Sequence, residues 1–422
     1  MRERSANKNK KDNLFIRIIT YALAFGMIIN CNSIYGTGIY GSRLNNILLI
    51  LSFFEVLIIV AIHKVENIDW RKYLFIILLL LGYLLVYVLV QQKTSTDLIT
   101  IKMILTFLLF FSLAYLAYKN DSLPLLLTVY VNLITIVAVV SLLFWILGSN
   151  LHLIQPNGVY LSKWAQPTFQ SVSSYYGLYF ETQGMGAMWR NSAIFAEAPM
   201  ASLNFSLALT IESLLIKKGK FYKFRILILA LAVISTLSST GYICLVLLIL
   251  CKMLTGNDRN KYVFIFKKII TPIILIIGVI LINHFFSQKM MSSSGVSRGQ
   301  DYVNAFKAWS RHPILGVGLN MANSLPAEDR LFVGKFGYSN SFGKILGETG
   351  LYITILYIIS IIRSMYIGIK SKESERVYFT VVLVYLFITT IFVNTFIMFF
   401  FFSLMAVWVP NSRALDTNDY DK

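Results

Sequence analysis

Residues 123–148 read LPLLLTVYVNLITIVAVVSLLFWILG, a run without Asp, Glu, Lys, Arg or His. It is longer than the about 20 residues a helix needs to cross the hydrocarbon core of a bilayer. Similar runs recur along the chain of 422 residues, which is 57% hydrophobic and only 14% charged, with a mean hydropathy of +0.67. A typical soluble domain carries about 25% charge. The runs are continuous, whereas a transmembrane barrel needs alternating segments of about 10 residues. The chain therefore reads as an all-α polytopic membrane protein, one transmembrane domain over 1–422.

The hydropathy pattern predicts about twelve transmembrane helices, each near the about 20 residues of a crossing. They fall at 14–30, 44–62, 73–91, 98–118, 123–148, 192–216, 222–237, 240–254, 266–286, 340–362, 376–394 and 396–410. Two pairs are short and share a break, at 235–241 and at Asn394-Thr395. Lys and Arg collect in the tails and in alternate loops, most densely at Lys217, Lys218, Lys220, Lys223 and Arg225 and again over 252–268. Cytoplasmic loops carry that excess, so both termini are expected in the cytoplasm. Fusing either short pair would invert everything after it and spoil the pattern. Arg2, Arg4, Lys8, Lys10 and Lys11 precede an apolar run with no small-x-small cleavage site, so that run reads as a retained first span.

The net charge of +18 fits anionic lipid headgroups. Nucleic acid is not expected, because no basic soluble domain exists to carry it. Cys31, Cys244 and Cys251 are odd in number, and no disulfide is expected.

Two long extracytoplasmic loops follow from this topology, 149–191 and 287–339. The first is rich in aromatics, with Tyr160, Trp164, Tyr175, Tyr176, Tyr179 and Trp189. It leads into Trp189-Arg190-Asn191-Ser192-Ala193-Ile194-Phe195-Ala196-Glu197-Ala198-Pro199. On a helix, Arg190 and Glu197 would share a face about two turns apart. An acid in the outer leaflet is costly and usually faces a cavity or partner. The bland reading of Arg190 is a side chain snorkelling to lipid phosphate.

In the second loop, Arg298, Asp301, Asn304, Lys307 and Arg311 recur at spacings of three and four, with Tyr302, Ala305, Phe306 and Trp309 opposite. That pattern predicts a short amphipathic helix near 299–311, lying on the outer surface. Its Arg residues suit phosphate, because a planar guanidinium grips two oxygens at once. His63, His152, His284 and His312 are scattered without metal spacing, and no phosphate-binding Gly-Lys-Ser/Thr loop is present. No metal site and no cofactor are expected. Glu55 and Lys102 are lone charges inside spans.

Three pieces in this order resemble the family of bacterial oligosaccharide repeat-unit polymerases (Wzy type) and O-antigen ligases. They are Arg190 to Phe195 with Glu197 and Pro199; Arg298, Ala305, Trp309, Pro313, Gly316 and Gly318; and Asn340 with Glu348 and Gly350. The break from Ser235 to Gly241 is similar to a turn of the same family. The match covers about 185–365, and the earlier spans carry only topology.

The resemblance implies inverting, metal-independent glycosyl transfer on the outer face of a bacterial cytoplasmic membrane. The donor would be a glycan on undecaprenyl diphosphate. The acceptor would be a second lipid-linked repeat unit for a polymerase, or a lipid core sugar for a ligase. The product would be capsular, exopolysaccharide or O-antigen polymer, and a chain-length regulator and a flippase are implied partners. The ligase pattern has His where this chain has Ser339, which favours the polymerase.

On this reading Arg190, Arg298 and Arg311 bind the diphosphate and stabilise its developing charge. Glu197 is the first candidate for the base and Asp301 the second. Glu181, Lys335 and Asn340 are assigned to the sugar pocket. The alternatives are the ligase itself and a lipid-linked oligosaccharide flippase or transporter. Twelve spans suit a transporter, but repeated halves and midplane charge pairs are not seen.

Overall fold

The computed structural model describes residues 2–62, 69–91, 97–119, 122–164, 168–185, 188–216, 218–255, 293–319 and 339–408. The expected span at 266–286 and Lys335 lie outside the described residues. The first helices are α1 (Arg2–Asn30), α2 (Ile34–Thr37), α3 (Gly41–Ile62), α4 (Trp70–Gln91), α5 (Asp97–Lys119) and α6 (Leu123–Phe144). A π-helical turn, Trp145–Asn150, continues α6. After the first long loop come α7 (Ala198–Leu214), α8 (Tyr222–Ser235), α9 (Ser239–Thr255), α10 (Ser293–Arg311), α11 (Ser341–Lys370), α12 (Ser374–Thr389) and α13 (Phe396–Val407).

Among the described residues, five helical stretches are long and apolar enough to cross a membrane. They are Gly41–Ile59, Trp70–Gln91, Ile99–Lys119, Leu123–Asn150 and Ser341–Lys370, with shorter apolar helices at Leu14–Asn30, Ser239–Leu254 and Phe396–Val407. Of the eleven expected spans that fall on described residues, these five are full-length apolar helices. For α7 and α13 the shortness has a physical cause in the bundle centre. Residues 396–405 of α13 are all buried, as is nearly all of α7. A helix apolar all round and wrapped by neighbours need not match the thickness of lipid.

Both short pairs are separate helices. Leu237 (φ 48°) ends α8, and Asn394 (φ 61°) sits between α12 and α13. Thr395 then caps α13, accepting from the Met398 amide at 3.3 Å. Polar contacts between helix ends gather at two ends of the bundle. One end gathers Asn30 with Phe396 (2.8 Å), Asn191 with Ser235 (3.1 Å) and Ser341 with Thr390 (3.0 Å). The opposite end gathers the ion pair of Arg225 with the fully buried Glu212 (3.0 Å) and the buried Arg376, which donates to the Trp408 carbonyl (2.5 Å).

The expectation of an all-α chain needs correction in the first loop. Gly158–Ser162 (β1), Gln170–Tyr175 (β2) and Tyr179–Glu181 (β3) form an antiparallel sheet in the order β1-β2-β3. Gly184–Met185 (β4) pairs with Met188–Trp189 (β5). Short runs of Val, Tyr and Ser favour a pleated, half-buried surface over a helix. Bridges from Ser33 to Phe195 and from Gly38 to Ser162 tie this loop to the end of α1 and to α2. We call that side the strand-bearing end.

The amphipathic helix exists as α10, starting earlier than 299; Lys307 and Arg311 are exposed and Ala305 buried as expected, but Asn304 exchanges places with Tyr302 and Phe306. Asn304, Ala305 and Ala308 are buried, while Tyr302, Val303 and Phe306 are exposed. The small residues let α10 approach α11 closely: a Cβ on Gly343 would lie 3.0 Å from that of Ala305. Packing through small residues with aromatics turned outward is the pattern of helices meeting in lipid.

One junction sets the position of everything at this end. α11 is interrupted at Gly350, whose φ of 61° and ψ of −162° only glycine adopts readily. The segment 313–318 fills the gap. The Val317 and Gly318 amides donate to the Gly347 and Glu348 carbonyls (3.0 and 2.8 Å). The Leu351 and Tyr352 amides donate to the Pro313 and Ile314 carbonyls (2.9 Å each). Hydrogen bonds that an unbroken helix would make within itself are thus made to another segment. A Cβ on Gly350 would stand 2.3 Å from the Ile314 oxygen, and one on Gly316 2.4 Å from the Glu348 carbonyl carbon.

Gly350→Ala should therefore destabilise the protein by more than the about 1–3 kcal/mol of backbone strain alone. The opposite control is Gly82→Ala in α4, where an added Cβ meets nothing within 4 Å. It should be neutral or stabilise by up to about 1 kcal/mol. Melting in detergent, followed by size exclusion, compares the two, and a wild-type melting curve for Gly350→Ala would contradict the junction.

Candidate active site

The segment from Arg190 to Glu197 is not helical. It is knitted into its surroundings by its backbone and short polar side chains. The fully buried Asn191 donates through Nδ2 to Ser141 Oγ (3.1 Å) and Ser235 Oγ (2.9 Å). Ser192 Oγ donates to the Phe180 carbonyl (2.7 Å), and the Ala196 amide to the Asn32 carbonyl (2.9 Å). Glu197 is the extended residue just before α7 (φ −155°, ψ 159°). Pro199 lies in the first turn, where its missing N–H leaves no helical bond unmade. The two-turn helical spacing expected for Arg190 and Glu197 is thereby replaced.

The two residues nonetheless meet, through Gln183. Arg190 Nη1 donates to Gln183 Oε1 at 3.1 Å, and Gln183 Nε2 lies 3.5 Å from Glu197 Oε2. The Ala198 amide also donates to Gln183 Oε1 (3.3 Å). Arg190 Nε donates to the Thr236 carbonyl (3.0 Å), which anchors the guanidinium to the α8–α9 break. Nothing in the sequence singles out Gln183. A polar side chain in a polar loop carries no periodicity or motif to mark it.

The second arm is the contact of α10 with α11. Asp301 is half-buried on the stripe that holds Asn304, Ala305 and Ala308, the face turned to α11. Arg298 belongs to α10, one turn before Asp301, and its side chain lies outside the described residues. Asn340 caps α11, its Oδ1 accepting from the Gly343 amide (2.6 Å). Its Nδ2 and that of Asn304 are buried with no hydrogen-bond partner among the described residues. Arg311 is exposed at the far end of α10, beside Gln91 and away from Gln183.

Glu181 lies on β3 and accepts from Tyr175 Oη (2.6 Å). Burial, and then this carboxylate, push the Tyr175 hydroxyl up to about 12, so it stays a donor at neutral pH. Tyr175 packs with Phe144 and Tyr179 beneath the sheet. Its ring also crowds Gly148, where a Cβ would lie 2.6 Å away.

The two arms share a support. Asn32, held at φ 54°, accepts from Ala196 and donates through Nδ2 to the Ile391 carbonyl (3.1 Å). Ser341 Oγ donates to the Thr390 carbonyl (2.8 Å) and accepts from the Phe392 amide (2.9 Å). Tyr302 Oη donates to the Ile388 carbonyl. The structure thus brings Arg190 and Glu197 together, puts Asp301 and Asn340 on elements in contact, and rests both arms on the α12–α13 turn. Among the described residues, no group of three His, Cys, Asp or Glu stands together as a metal site.

Residues 224–358 match the family model described as O-antigen ligase. This match supports placing the chain in the O-antigen polymerase and ligase superfamily of glycan-processing enzymes. It takes in α8, α9, α10, the 313–318 junction and the first half of α11. Comparison with curated proteins gives no match, and comparison with solved structures gives none.

Asn340→Ala should lower stability by about 1 kcal/mol through loss of the cap. Asn340→Ser keeps a short acceptor for the Gly343 amide without burying a charge and should recover part of that loss. Equal melting of Ala and wild type would remove the capping role.

Proposed function

We propose that this chain is a repeat-unit polymerase acting at the outer face of a bacterial cytoplasmic membrane. It transfers a growing glycan from undecaprenyl diphosphate to a second lipid-linked oligosaccharide repeat unit. The observation that carries the reading is the meeting of Arg190 and Glu197 on Gln183, at the polar end of an otherwise apolar bundle. The superfamily match and the Ser339 that replaces the ligase histidine add to it.

In the proposed step, an acceptor hydroxyl attacks the anomeric carbon of the donor sugar from the face opposite the diphosphate. The new glycosidic bond forms as the carbon–oxygen bond to phosphate breaks, inverting the anomeric centre. The leaving undecaprenyl diphosphate takes the bonding electrons. Arg190 and Arg298 stabilise that charge, as preorganised donors do where charge develops. The hydroxyl proton passes to Glu197, with Asp301 the second candidate. Gln183 holds base and guanidinium in register. Asn340, Glu181 and Lys335 contact sugar.

No resident metal is invoked. A guanidinium pair takes the role a divalent ion would play on the leaving diphosphate, each charge-assisted bond contributing about 1.5–3 kcal/mol.

Purified protein with lipid-linked repeat units should yield a ladder of longer products. Glu197→Gln should slow this by about 10²–10⁴-fold, the usual contribution of a general base. Arg190→Ala should abolish the ladder, and Arg190→Lys should not restore it, because an ammonium lacks the forked geometry. Arg298→Ala in a complemented deletion strain should leave single repeat units. Polymer of normal length, with the protein present in the membrane, would refute the diphosphate role. A ligase would instead leave long unattached polymer on deletion, and a flippase would make no new bond in vitro.

Gln183→Leu should cut elongation by about tenfold or more, since losing a hydrogen bond to charged groups removes about 1.5–3 kcal/mol. Melting should fall as well, because Gln183 also accepts from the Ala198 amide, so elongation is compared on protein that size exclusion shows to be folded. Full activity would show that Arg190 and Glu197 need no bridge.

A further inference from the structure

The exposed apolar side of α6 does not stop where the helix stops. Ile136, Val139, Leu143 and Ile146 are exposed and recur every three or four residues, one stripe along α6 and its π-helical turn. Leu151 and Leu153 follow at once and are exposed too. The Leu153 and Ile154 amides donate to the Leu147 carbonyl (2.7 and 3.1 Å), which folds the loop back against the helix end. The next exposed apolar side chains are Val159 and Leu161 of β1.

The register of the sheet shows which way these two point. Val159 pairs with Ser173, Leu161 with Ser171, Ser173 with Glu181, and Tyr175 with Tyr179. Side chains alternate along a strand, so Val159, Leu161, Tyr175 and Tyr179 share one face. Tyr175 and Tyr179 pack on Phe144 at the end of α6, and Tyr175 crowds Gly148. Tyr160, Val172 and Phe180, on the other face, pack with Ile34 and Tyr35 of α2. The face that rests on the end of α6 thus continues beyond it as Val159, 69% exposed, and Leu161, 41% exposed, near the loop that carries Leu153, 73% exposed.

This surface lacks the charge that would suit water. No Asp or Glu occurs from Ser122 to Phe180, and Lys163 is the one Lys or Arg in that stretch. Its ammonium lies over the Phe169 ring, 6.0 Å from the centroid, and such pairs of aromatic and Lys suit the level of lipid headgroups. The sheet has a limit on how deep it can lie. β1 is an edge strand, and backbone on an open edge cannot be left unpaired in hydrocarbon. Apolar side chains on a hydrated edge fit the boundary between headgroups and acyl chains.

We propose that the three-stranded sheet is seated on the bilayer itself. Leu153, Val159 and Leu161 insert at the headgroup boundary of the leaflet at the strand-bearing end. The partner is a lipid surface, because the apolar face runs without a break in character from the exposed stripe of α6. β3 runs through Thr182 into Gln183, so the seat would hold the Arg190–Gln183–Glu197 bridge at the depth of the lipid phosphates. The inference does not depend on the polymerase reading.

The test reads depth on the full-length protein. Cys31, Cys244 and Cys251 are buried, so wild type serves as the unlabelled blank for a methanethiosulfonate spin label. Leu153→Cys, Val159→Cys and Leu161→Cys are labelled singly in phosphatidylcholine nanodiscs, with Leu143→Cys as the reference in lipid. Oxygen concentrates among acyl chains, and a neutral nickel chelate stays in water. The oxygen-to-nickel collision ratio at all three positions should lie above that of free label and towards that of Leu143→Cys. Frequent nickel collisions would put the sheet in water, and few collisions with either reagent would put it against protein; either result overturns the inference. An independent measurement uses the unaltered chain. Phosphatidylcholine with a diazirine near the glycerol end of one acyl chain should attach, on illumination, to the peptide over 151–161. Adducts on α6 with none on that peptide would also overturn the inference.

Discussion

The splice of 313–318 into the interrupted helix α11 is the constraint on which the strand-bearing end depends. A helix that stops at Gly350 leaves amides and carbonyls without partners deep in an apolar bundle. Each such group costs several kcal/mol in hydrocarbon unless it is paired. The crossing segment pairs four of them, at 2.8 to 3.0 Å, and in doing so fixes where α10 ends and where α11 begins. Tyr83 and Tyr352 stack beside it with centroids 4.3 Å apart, tying α4 to the same point. Asn340, Asp301 and Arg311 lie on the two helices that this junction joins.

The first arm is positioned by a different device, a set of short polar side chains instead of a broken helix. Asn191, Ser192 and Asn32 bond to backbone and hydroxyl groups of α6, α8, β3 and the α12–α13 turn. Local side-chain bonds of this kind compete with helix formation. Residues 190–197 consequently stay non-helical, turning at Ala193 (φ 50°), until Pro199 can start α7. The outcome is a rigid, irregular ribbon that delivers Arg190 and Glu197 to one amide.

The opposite end of the bundle has its own polar fastenings. Arg225 bonds Glu212 and Asn132 (3.1 Å), and Arg376 reaches Ser364, Trp408 and Glu373. A paired charge inside a bundle adds little net stability but is costly to break. These contacts hold α6 to α7 and α8, and α11 to α12 and α13. The helix ends at the site are thus clamped from below.

The sequence by itself determined that this is a polytopic helical membrane protein, that helices break at 235–241 and near Asn394, and that Arg190, Glu197, Asp301 and Asn340 merit attention. Those are properties of local composition, spacing and motif, and a reader needs only neighbouring residues to see them. Tertiary structure alone decided that the first loop forms strands, that α10 turns Tyr302 and Phe306 outward, and that α7 and α13 are short. It also decided that Gln183 joins Arg190 to Glu197. These outcomes depend on which distant segment supplies a hydrogen-bond partner or a small packing surface. Gly350 shows the limit clearly: its presence permits a break, but only the arrival of residues 313–318 makes one stable.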